Sequence, residues 1–227
     1  MAVKAVLFDL DNTLLDFLDM KKKCVSAAVK SMRENGLKMS EKSAFESIMK
    51  MYGRRHFEDH TIFQRFIRKH LKKIDYLLLG SAISAYRQAR YSVLKPYSNV
   101  PFVLGFLKKR GIRLGVVSDA PKLKAWIRLC STNLQGYFDF VITLGDTKAK
   151  KPSPAPFKRA VKELKLKPDE IIFVGDNPAR DILGAKRAGM KTCLAEYGQV
   201  FMKRVKSDFI MRDIGELIEI IQKQGNK

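Results

Sequence analysis

Two carboxylates stand two residues apart where an apolar run ends near the start of the chain. Residues 2–8 are Ala-Val-Lys-Ala-Val-Leu-Phe, which suits a strand buried on both faces. Asp9 and Asp11 follow, and in extended backbone their side chains point to the same side. Carboxylates this close repel each other unless a cation lies between them or they share a proton. A turn capped by Asp and Asn is the purely structural alternative.

Further polar side chains follow the later strand-like segments. Ser118 and Asp119 come after one such segment, Asp176 comes after another, and Lys151 lies in a loop that follows a third. Binding sites in parallel sheets form beyond the carboxyl ends of the strands. We therefore expect these side chains to meet Asp9 at one edge of a sheet.

These residue types suit the hydrolysis of a phosphate monoester. Mg²⁺ held by Asp9 and Asp176 would cancel the repulsion between the carboxylates and a phosphoryl group. Lys151 and the hydroxyl of Ser118 would bind the remaining phosphoryl oxygens. One carboxylate of the pair at 9 and 11 could attack phosphorus, while the other protonates the leaving alcohol and activates water.

The elements that must position these residues alternate between strand and helix from residue 99 onward. Such alternation predicts an α/β fold with a doubly wound parallel sheet and helices on both faces. Residues 18–95 instead show four amphipathic helical stripes, which predict a small inserted helical bundle. The predicted domains are a Rossmann-like core of residues 1–17 and 96–227 and a four-helix insertion of residues 18–95.

The composition is that of a globular protein with an unusual excess of positive charge. The 227 residues include 44 Lys and Arg against 23 Asp and Glu, a net charge of +21. Nucleic acid could explain this excess, but no recognition helix, RNP-type aromatic motif or Arg-rich arm is evident. A small anionic substrate is therefore the expected partner.

Two further features bear on location. No apolar run reaches the roughly 18 residues that span a bilayer, so no membrane partner is expected. Cys24, Cys130 and Cys193 are odd in number and widely spaced. This spacing favours reduced thiols in a cytoplasmic protein over a disulfide framework. The oligomeric state is left open.

Four groups of residues resemble, in order and spacing, the four motifs of the haloacid dehalogenase-like hydrolase superfamily. They are Asp9–Thr13, Ser118, Lys151-Pro152 and Gly175–Asp181. Residues 181–190 are similar to the corresponding stretch of phosphoglycolate-phosphatase-like members. The chain also resembles an archaeal branch that acts on glyceraldehyde 3-phosphate. The resemblance implies a Mg²⁺-dependent phosphatase that works through an aspartyl phosphate.

The resemblance also assigns the central roles. It implies that Asp9 is the nucleophile and Asp11 the general acid/base. Mg²⁺ would be held by Asp9, Asp176 and the main-chain carbonyl of Asp11. The helical insertion would be a cap that closes over the core, excludes water and selects the leaving group.

The remaining site residues follow from the same motifs. Ser118 and Lys151 would bind the phosphoryl group, and Asp119 and Asn12 are expected to complete the substrate-binding set. Behind them, Asp181 would orient Lys151 or a metal-bound water, with Thr13 in a similar supporting position. These supporting residues are not expected to touch the substrate.

Two alternative functions remain open. Dehalogenase members of the superfamily have Tyr where this chain has Asp11, because a halide leaves without a proton, so Asp11 favours phosphate ester hydrolysis over a 2-haloacid dehalogenase. A non-enzymatic aspartyl phospho-acceptor domain uses similar residues but is about half as long and lacks a large helical insertion. The chain departs from the family pattern at Asn177-Pro178, where relatives often have Ser.

Overall fold

The computed structural model describes residues 2–53, 58–200 and 205–225. The chain forms two compact units, which are residues 1–16 with 95–227, here called the sheet unit, and residues 17–94, here called the helical unit. The predicted insertion, residues 18–95, includes residues 54–57, which lie outside the described residues. Among the helices of the described ranges, none has the length and apolar character needed to cross a membrane.

In the described part of the helical unit, each of the four predicted stripes lies on a helix. The helices are α1 (Phe17–Glu34), α2 (Glu41–Tyr52), α3 (Ile62–Leu71) and α4 (Tyr76–Val93). The stripe of α1, from Val25 to Met32, is fully buried and packs with Ile48 and Phe66 in one apolar cluster. Ser40 caps α2 and Asp75 caps α4, so side-chain oxygens accept hydrogen bonds from the first free amides.

The described part of the sheet unit contains one parallel sheet of six strands. The strands are β1 (Ala5–Phe8), β2 (Arg113–Val117), β3 (Phe140–Ile142), β4 (Ile171–Gly175), β5 (Lys191–Ala195) and β6 (Phe209–Met211). Their order across the sheet is β3-β2-β1-β4-β5-β6. The chain builds outward from β1 through β2 to β3 and then returns to place β4 on the other side of β1. The switch point therefore lies between β1 and β4, which is where such sheets bind ligands.

Helices cover both faces of this sheet. They are α5 (Val100–Lys109), α6 (Lys122–Ser131), α7 (Leu144–Thr147), α8 (Pro154–Leu164), α9 (Leu183–Arg187) and α10 (Glu216–Gly225). Leu7 and Phe173 belong to a cluster that includes residues of α8 and α9. Val6 and Phe8 point to the opposite face and are equally inaccessible. The predicted α/β class and doubly wound parallel sheet are confirmed.

The structure differs from the predicted elements around β3. The sequence predicts a strand over residues 138–143, but β3 covers only Phe140–Ile142 and is followed by the helix α7, which the sequence does not predict. Thr143 and Asp146 form a capping box, in which the Asp146 carboxylate accepts from the backbone amide and the hydroxyl of Thr143. The capping box starts a helix at the residue where the strand would have continued. A four-residue helix is too short to show helical periodicity in the sequence.

Candidate active site

Three buried carboxylates meet at the carboxyl ends of β1 and β4. Asp9 follows β1, and its amide extends the sheet pairing by donating to the carbonyl of Val174 at 2.9 Å. Asp9, Asp176 and Asp181 each offer an oxygen atom, and these oxygens lie within 4.8 Å of one another. The side chain of Asp181 packs directly on Gly175, where an added Cβ would lie only 2.5 Å from the Cβ of Asp181. Gly175 is thus the residue type that lets Asp181 approach the end of β4.

Lys151 places its ammonium group among these carboxylates. Its Nζ lies 2.5 Å from Oδ1 of Asp9, 2.7 Å from Oδ1 of Asp181 and 2.9 Å from the carbonyl oxygen of Val117. The contacts with Asp9 and with the carbonyl of Val117 are hydrogen bonds, and the contact with Asp181 is an ion pair. The Lys151 residue is only 3% exposed, and its loop brings it to the site from between α7 and α8.

The charges at this site favour a bound cation. Burial raises the pKa of Asp9 to about 7, against the opposing effect of Lys151 and with a further increase from Asp181. Burial, followed by the nearby charges of Asp181 and Asp9, raises the pKa of Asp176 as well. The pKa of Lys151 is raised because Asp181 and Asp9 outweigh the effect of its own burial. Three carboxylates around one ammonium leave an excess of negative charge that a divalent cation would neutralise.

One oxygen of this cluster is placed as a metal ligand would be. Oδ1 of Asp176 is buried and accepts no hydrogen bond from the part of the chain that the structure describes. A buried carboxylate oxygen without a donor is costly, and a hard cation such as Mg²⁺ binds oxygen ligands of this kind. The predicted set of Asp9 and Asp176 therefore fits a divalent cation, and Asp181 is close enough to belong to the same cluster.

Ser118 and Asp119 follow β2 and occupy different positions. The Ser118 hydroxyl oxygen accepts a hydrogen bond from the amide of Ala120 at 3.1 Å, which leaves its proton free to be donated. The Asp119 carboxylate accepts from the backbone amide of Lys151 at 2.9 Å and from Nη1 of Arg180 at 3.3 Å. Asp119 was predicted to bind substrate, but in the structure its side chain links the Lys151 loop to Arg180.

The departure from the family pattern at Asn177 has a structural role. Oδ1 of Asn177 accepts from the amides of Ala179 and Arg180 and so caps the helical turn Pro178–Ile182. The amide of Asn177 donates to Oδ2 of Asp181 at 3.0 Å. Asn177 thus orients the turn that carries Asp181, using the capping chemistry of an Asn side chain.

The loop after β1 is held by a segment that follows β5. Asn12 has a φ of 61°, in the left-handed region, and its amide donates to the carbonyl of Leu15 at 2.7 Å. The phenol of Tyr197 donates to the carbonyl of Thr13 at 2.7 Å, and Gly198 packs against the carbonyl of Asn12. These contacts use the main chain of Asn12 and Thr13, whereas the predictions for these residues concerned substrate binding and support of the site.

Asp11 lies outside the carboxylate cluster. Its Oδ2 accepts from Nη1 of Arg128 at 2.6 Å. Arg128 is on α6, and its side chain is 2% exposed, against 24% for that of Asp11. The structure therefore separates the two acids of the opening motif, since Asp9 faces Lys151 and Asp11 faces Arg128.

Sequence reasoning missed Arg128, Arg180, Tyr197 and Gly198. One signal was available for Arg128, because Ala125, Arg128 and Leu129 have the spacing of a buried helical face and are the buried residues of α6. The other three have no comparable signal. Their partners lie in distant parts of the chain, and only the folded sheet brings them together.

The arrangement supports nucleophilic chemistry at Asp9. A carboxylate oxygen of Asp9 stands at the end of a rigid strand, beside an ammonium group and in a cluster suited to a cation. With a divalent cation bound, an anionic group that approaches this edge would meet positive charge next to Asp9. The Ser118 hydroxyl at the end of β2 adds a hydrogen-bond donor at the same edge of the sheet.

Comparison with known proteins places the chain in a family. A model of the haloacid dehalogenase-like hydrolases matches residues 6–195. A glyceraldehyde 3-phosphate phosphatase of Methanocaldococcus jannaschii is 31% identical over 229 residues, which cover 97% of each chain. A phosphoglycolate phosphatase of Aquifex aeolicus is 31% identical over 222 residues, which cover 96% of this chain and 97% of the relative.

A solved structure gives the same result. The crystal structure of a HAD phosphatase from Thermococcus onnurineus superposes with a TM-score of 0.68 at 28% identity, covering 96% of this chain and 98% of the other. The match extends over both units of the present chain. The predictions of the family and of a hydrolytic enzyme are therefore confirmed, and the chain belongs to the haloacid dehalogenase-like hydrolase family.

Proposed function

We propose that this enzyme is a Mg²⁺-dependent phosphatase that hydrolyses small phosphate monoesters through an aspartyl phosphate on Asp9. The observation that carries the proposal is the cluster of Asp9, Asp176 and Asp181 around Lys151 at the switch point of the sheet. Relatives that match nearly the whole chain are named phosphatases, which supports the same reaction class.

Asp9 attacks the phosphorus atom in this proposal. The bond from Oδ of Asp9 to phosphorus forms while the bond from phosphorus to the ester oxygen breaks. Lys151, held by Asp9 and Asp181, attracts the phosphoryl oxygens, and the Ser118 hydroxyl donates a hydrogen bond to one of them. Asp9, Asp176 and the main-chain carbonyl of Asp11 would hold Mg²⁺, which supplies charge neutralisation of the phosphoryl group when bound.

Asp11 moves the protons. It donates a proton to the ester oxygen as the alcohol leaves, and it then removes a proton from the water that attacks the aspartyl phosphate. The second step releases inorganic phosphate and restores the Asp9 carboxylate. An alcohol requires this proton whereas a halide does not, so Asp11 supports ester hydrolysis over dehalogenation.

The helical unit is the proposed cap. By the family resemblance, it would close over the core, exclude water from the reaction and select the leaving group. On the basis of the names of the relatives, the proposed substrate class is small phosphorylated carboxylates and aldehydes. Glyceraldehyde 3-phosphate and 2-phosphoglycolate are the first compounds to test.

The proposal is tested with purified protein and 4-nitrophenyl phosphate. We expect phosphate release that requires Mg²⁺, stops with EDTA and is lost in Asp9→Asn. Asp176→Asn should raise the Mg²⁺ concentration needed for half-maximal activity at least about tenfold, since it removes one charged ligand of the proposed site. Arg159→Met, an exposed substitution on α8, is the matched control and should keep full activity.

Other results would support a different function. Halide release from a 2-haloacid without Mg²⁺ would identify a dehalogenase. Stoichiometric phosphorylation of the protein without turnover would identify a phospho-acceptor domain.

If the protein is an active phosphatase, a screen of phosphorylated metabolites, run beside Asp11→Asn, would define the substrate.

A further inference from the structure

Arg128 is the largest of the fully buried side chains in the described residues. A guanidinium group stays charged under all ordinary conditions, so burying it is unfavourable unless it is paired. The observed pair is the 2.6 Å contact from Nη1 to Oδ2 of Asp11, a length typical of a charge-assisted hydrogen bond. The two residues are 117 positions apart, so the fold rather than local sequence brings them together.

The two partners lie on different kinds of element. Arg128 is anchored in α6 between the buried side chains of Ala125 and Leu129. Asp11 lies in the loop after β1, where it forms an isolated bridge with Leu15. The ion pair therefore ties a loop carboxylate to a rigid helix. With its side chain 2% exposed, Arg128 is not accessible to a substrate, so it would act on the reaction through Asp11, which it contacts.

We propose that Arg128 is a positioning residue that holds the carboxylate of Asp11 in the place required for proton transfer to the leaving group. This inference rests on the proposed phosphatase function and adds a residue to it. Orientation of a catalytic group supplies a large part of the rate, and misplacement by about 1 Å can cost about 100-fold.

A positioning role predicts a dependence on the leaving group. A nitrophenolate leaves readily without a proton, whereas an alkoxide leaves only when it is protonated. Loss of Arg128 should therefore slow the hydrolysis of alkyl phosphates far more than that of 4-nitrophenyl phosphate. A merely structural role would slow both substrates by the same factor.

The experiment measures kcat/KM for 4-nitrophenyl phosphate, phenyl phosphate and glycerol phosphate with saturating Mg²⁺. The variants are Arg128→Met, Arg128→Lys, Asp11→Asn and the double variant Arg128→Met with Asp11→Asn. Leu129→Ala is the control for lost packing on α6, and Arg159→Met is the control for loss of an arginine elsewhere. Circular dichroism and thermal melting establish that each variant is folded.

We expect Arg128→Met to lower kcat/KM for glycerol phosphate about 10- to 100-fold and that for 4-nitrophenyl phosphate less than about threefold. Arg128→Lys should recover part of the loss, and the double variant should be no slower than Asp11→Asn alone. If Arg128→Met does not fold, Arg128→Lys must show the same dependence on the leaving group, with a smaller loss of kcat/KM.

Equal losses on all three substrates, or multiplicative losses in the double variant, would overturn the positioning role while leaving the phosphatase function intact. A wild-type protein that hydrolyses none of the three esters would instead overturn the phosphatase function and this inference together.

Discussion

Gly198 provides a sharp test of how the loop after β1 is held. The residue is buried, and its Cα approaches the main chain of Asn12 so closely that no side chain fits. In Gly198→Ala, the new Cβ would collide with the carbonyl oxygen of Asn12 and lie 2.7 Å from its carbonyl carbon. Ordinary contact begins at 3.4 Å, and the carbonyl oxygen lies much closer to the new Cβ than the carbonyl carbon does, so the two backbones must separate by clearly more than the roughly 0.7 Å that the carbon alone would require.

This displacement has two measurable consequences. Overpacking of this kind typically lowers the free energy of unfolding by about 1–3 kcal/mol, and each kcal/mol corresponds to a fall in Tm of about 2–4 °C for chains of this size. Asn12 is next to Asp11, so the proposed acid/base moves with it. A shift approaching 1 Å should lower kcat/KM for an alkyl phosphate about 10- to 100-fold.

The assay compares Gly198→Ala with Gly136→Ala. An added Cβ at Gly136 would meet no atom within 4 Å, so this control should keep both Tm and activity. Tm is measured by differential scanning calorimetry, and activity is measured with glycerol phosphate. A Gly198→Ala protein with wild-type Tm and wild-type kcat/KM would refute the reasoning, because it would mean that the loop tolerates the displacement.

Two further predictions concern the charges of the site. The pKa of Asp9 is raised to about 7 and that of Asp176 is also raised, so the metal-free folded protein binds these protons more tightly than the unfolded chain does. Their contribution to stability is therefore present at acid pH and is lost as the pH rises from about 4 to about 7. The increase in Tm that Mg²⁺ causes should accordingly grow between pH 5 and pH 8. A Mg²⁺ effect on Tm that is constant or declines over this range would contradict the proposal that these carboxylates bind Mg²⁺. At Asp119, replacement by Ala should lower kcat about tenfold, because the amide of Lys151 and the guanidinium of Arg180 lose their acceptor, whereas Asp119→Asn keeps an acceptor and should lose less. Steady-state kinetics on both Asp119 variants checks this order, and equal activity of the two would contradict it.

The sheet could be predicted because its signals are local. A run such as Ala5–Phe8 is apolar on both faces, and alternation with amphipathic helices implies parallel strands whatever the details of packing. The motif residues come directly after the ends of the strands in the chain, so Asp9 and Asp176 could be placed at one edge of the sheet without a structure. The α7 helix could not be predicted, since its four residues are too few to show helical periodicity.

The supporting contacts of the site could not be predicted for a different reason. Arg128 lies on a helix with several exposed basic neighbours, and its charge gives no indication that it is buried. The spacing of Ala125, Arg128 and Leu129 places it on the buried helical face, but its pairing with Asp11 depends on the packed fold. Gly198 likewise matters because of Asn12, which lies nearly the whole chain away. Sequence spacing therefore points to the proposed reactive residues of such a site, while the residues that contact them depend on the packed fold.

The most direct test of the account is to trap the covalent intermediate. The protein is mixed with a phosphate ester substrate and Mg²⁺, quenched in acid within the first turnovers, digested and analysed by mass spectrometry. The account predicts phosphate on the peptide that contains Asp9 in the wild-type enzyme, and none in Asp9→Asn. Turnover without a phosphorylated peptide, or with phosphate on a residue other than Asp9, would contradict the central claim that Asp9 is the nucleophile.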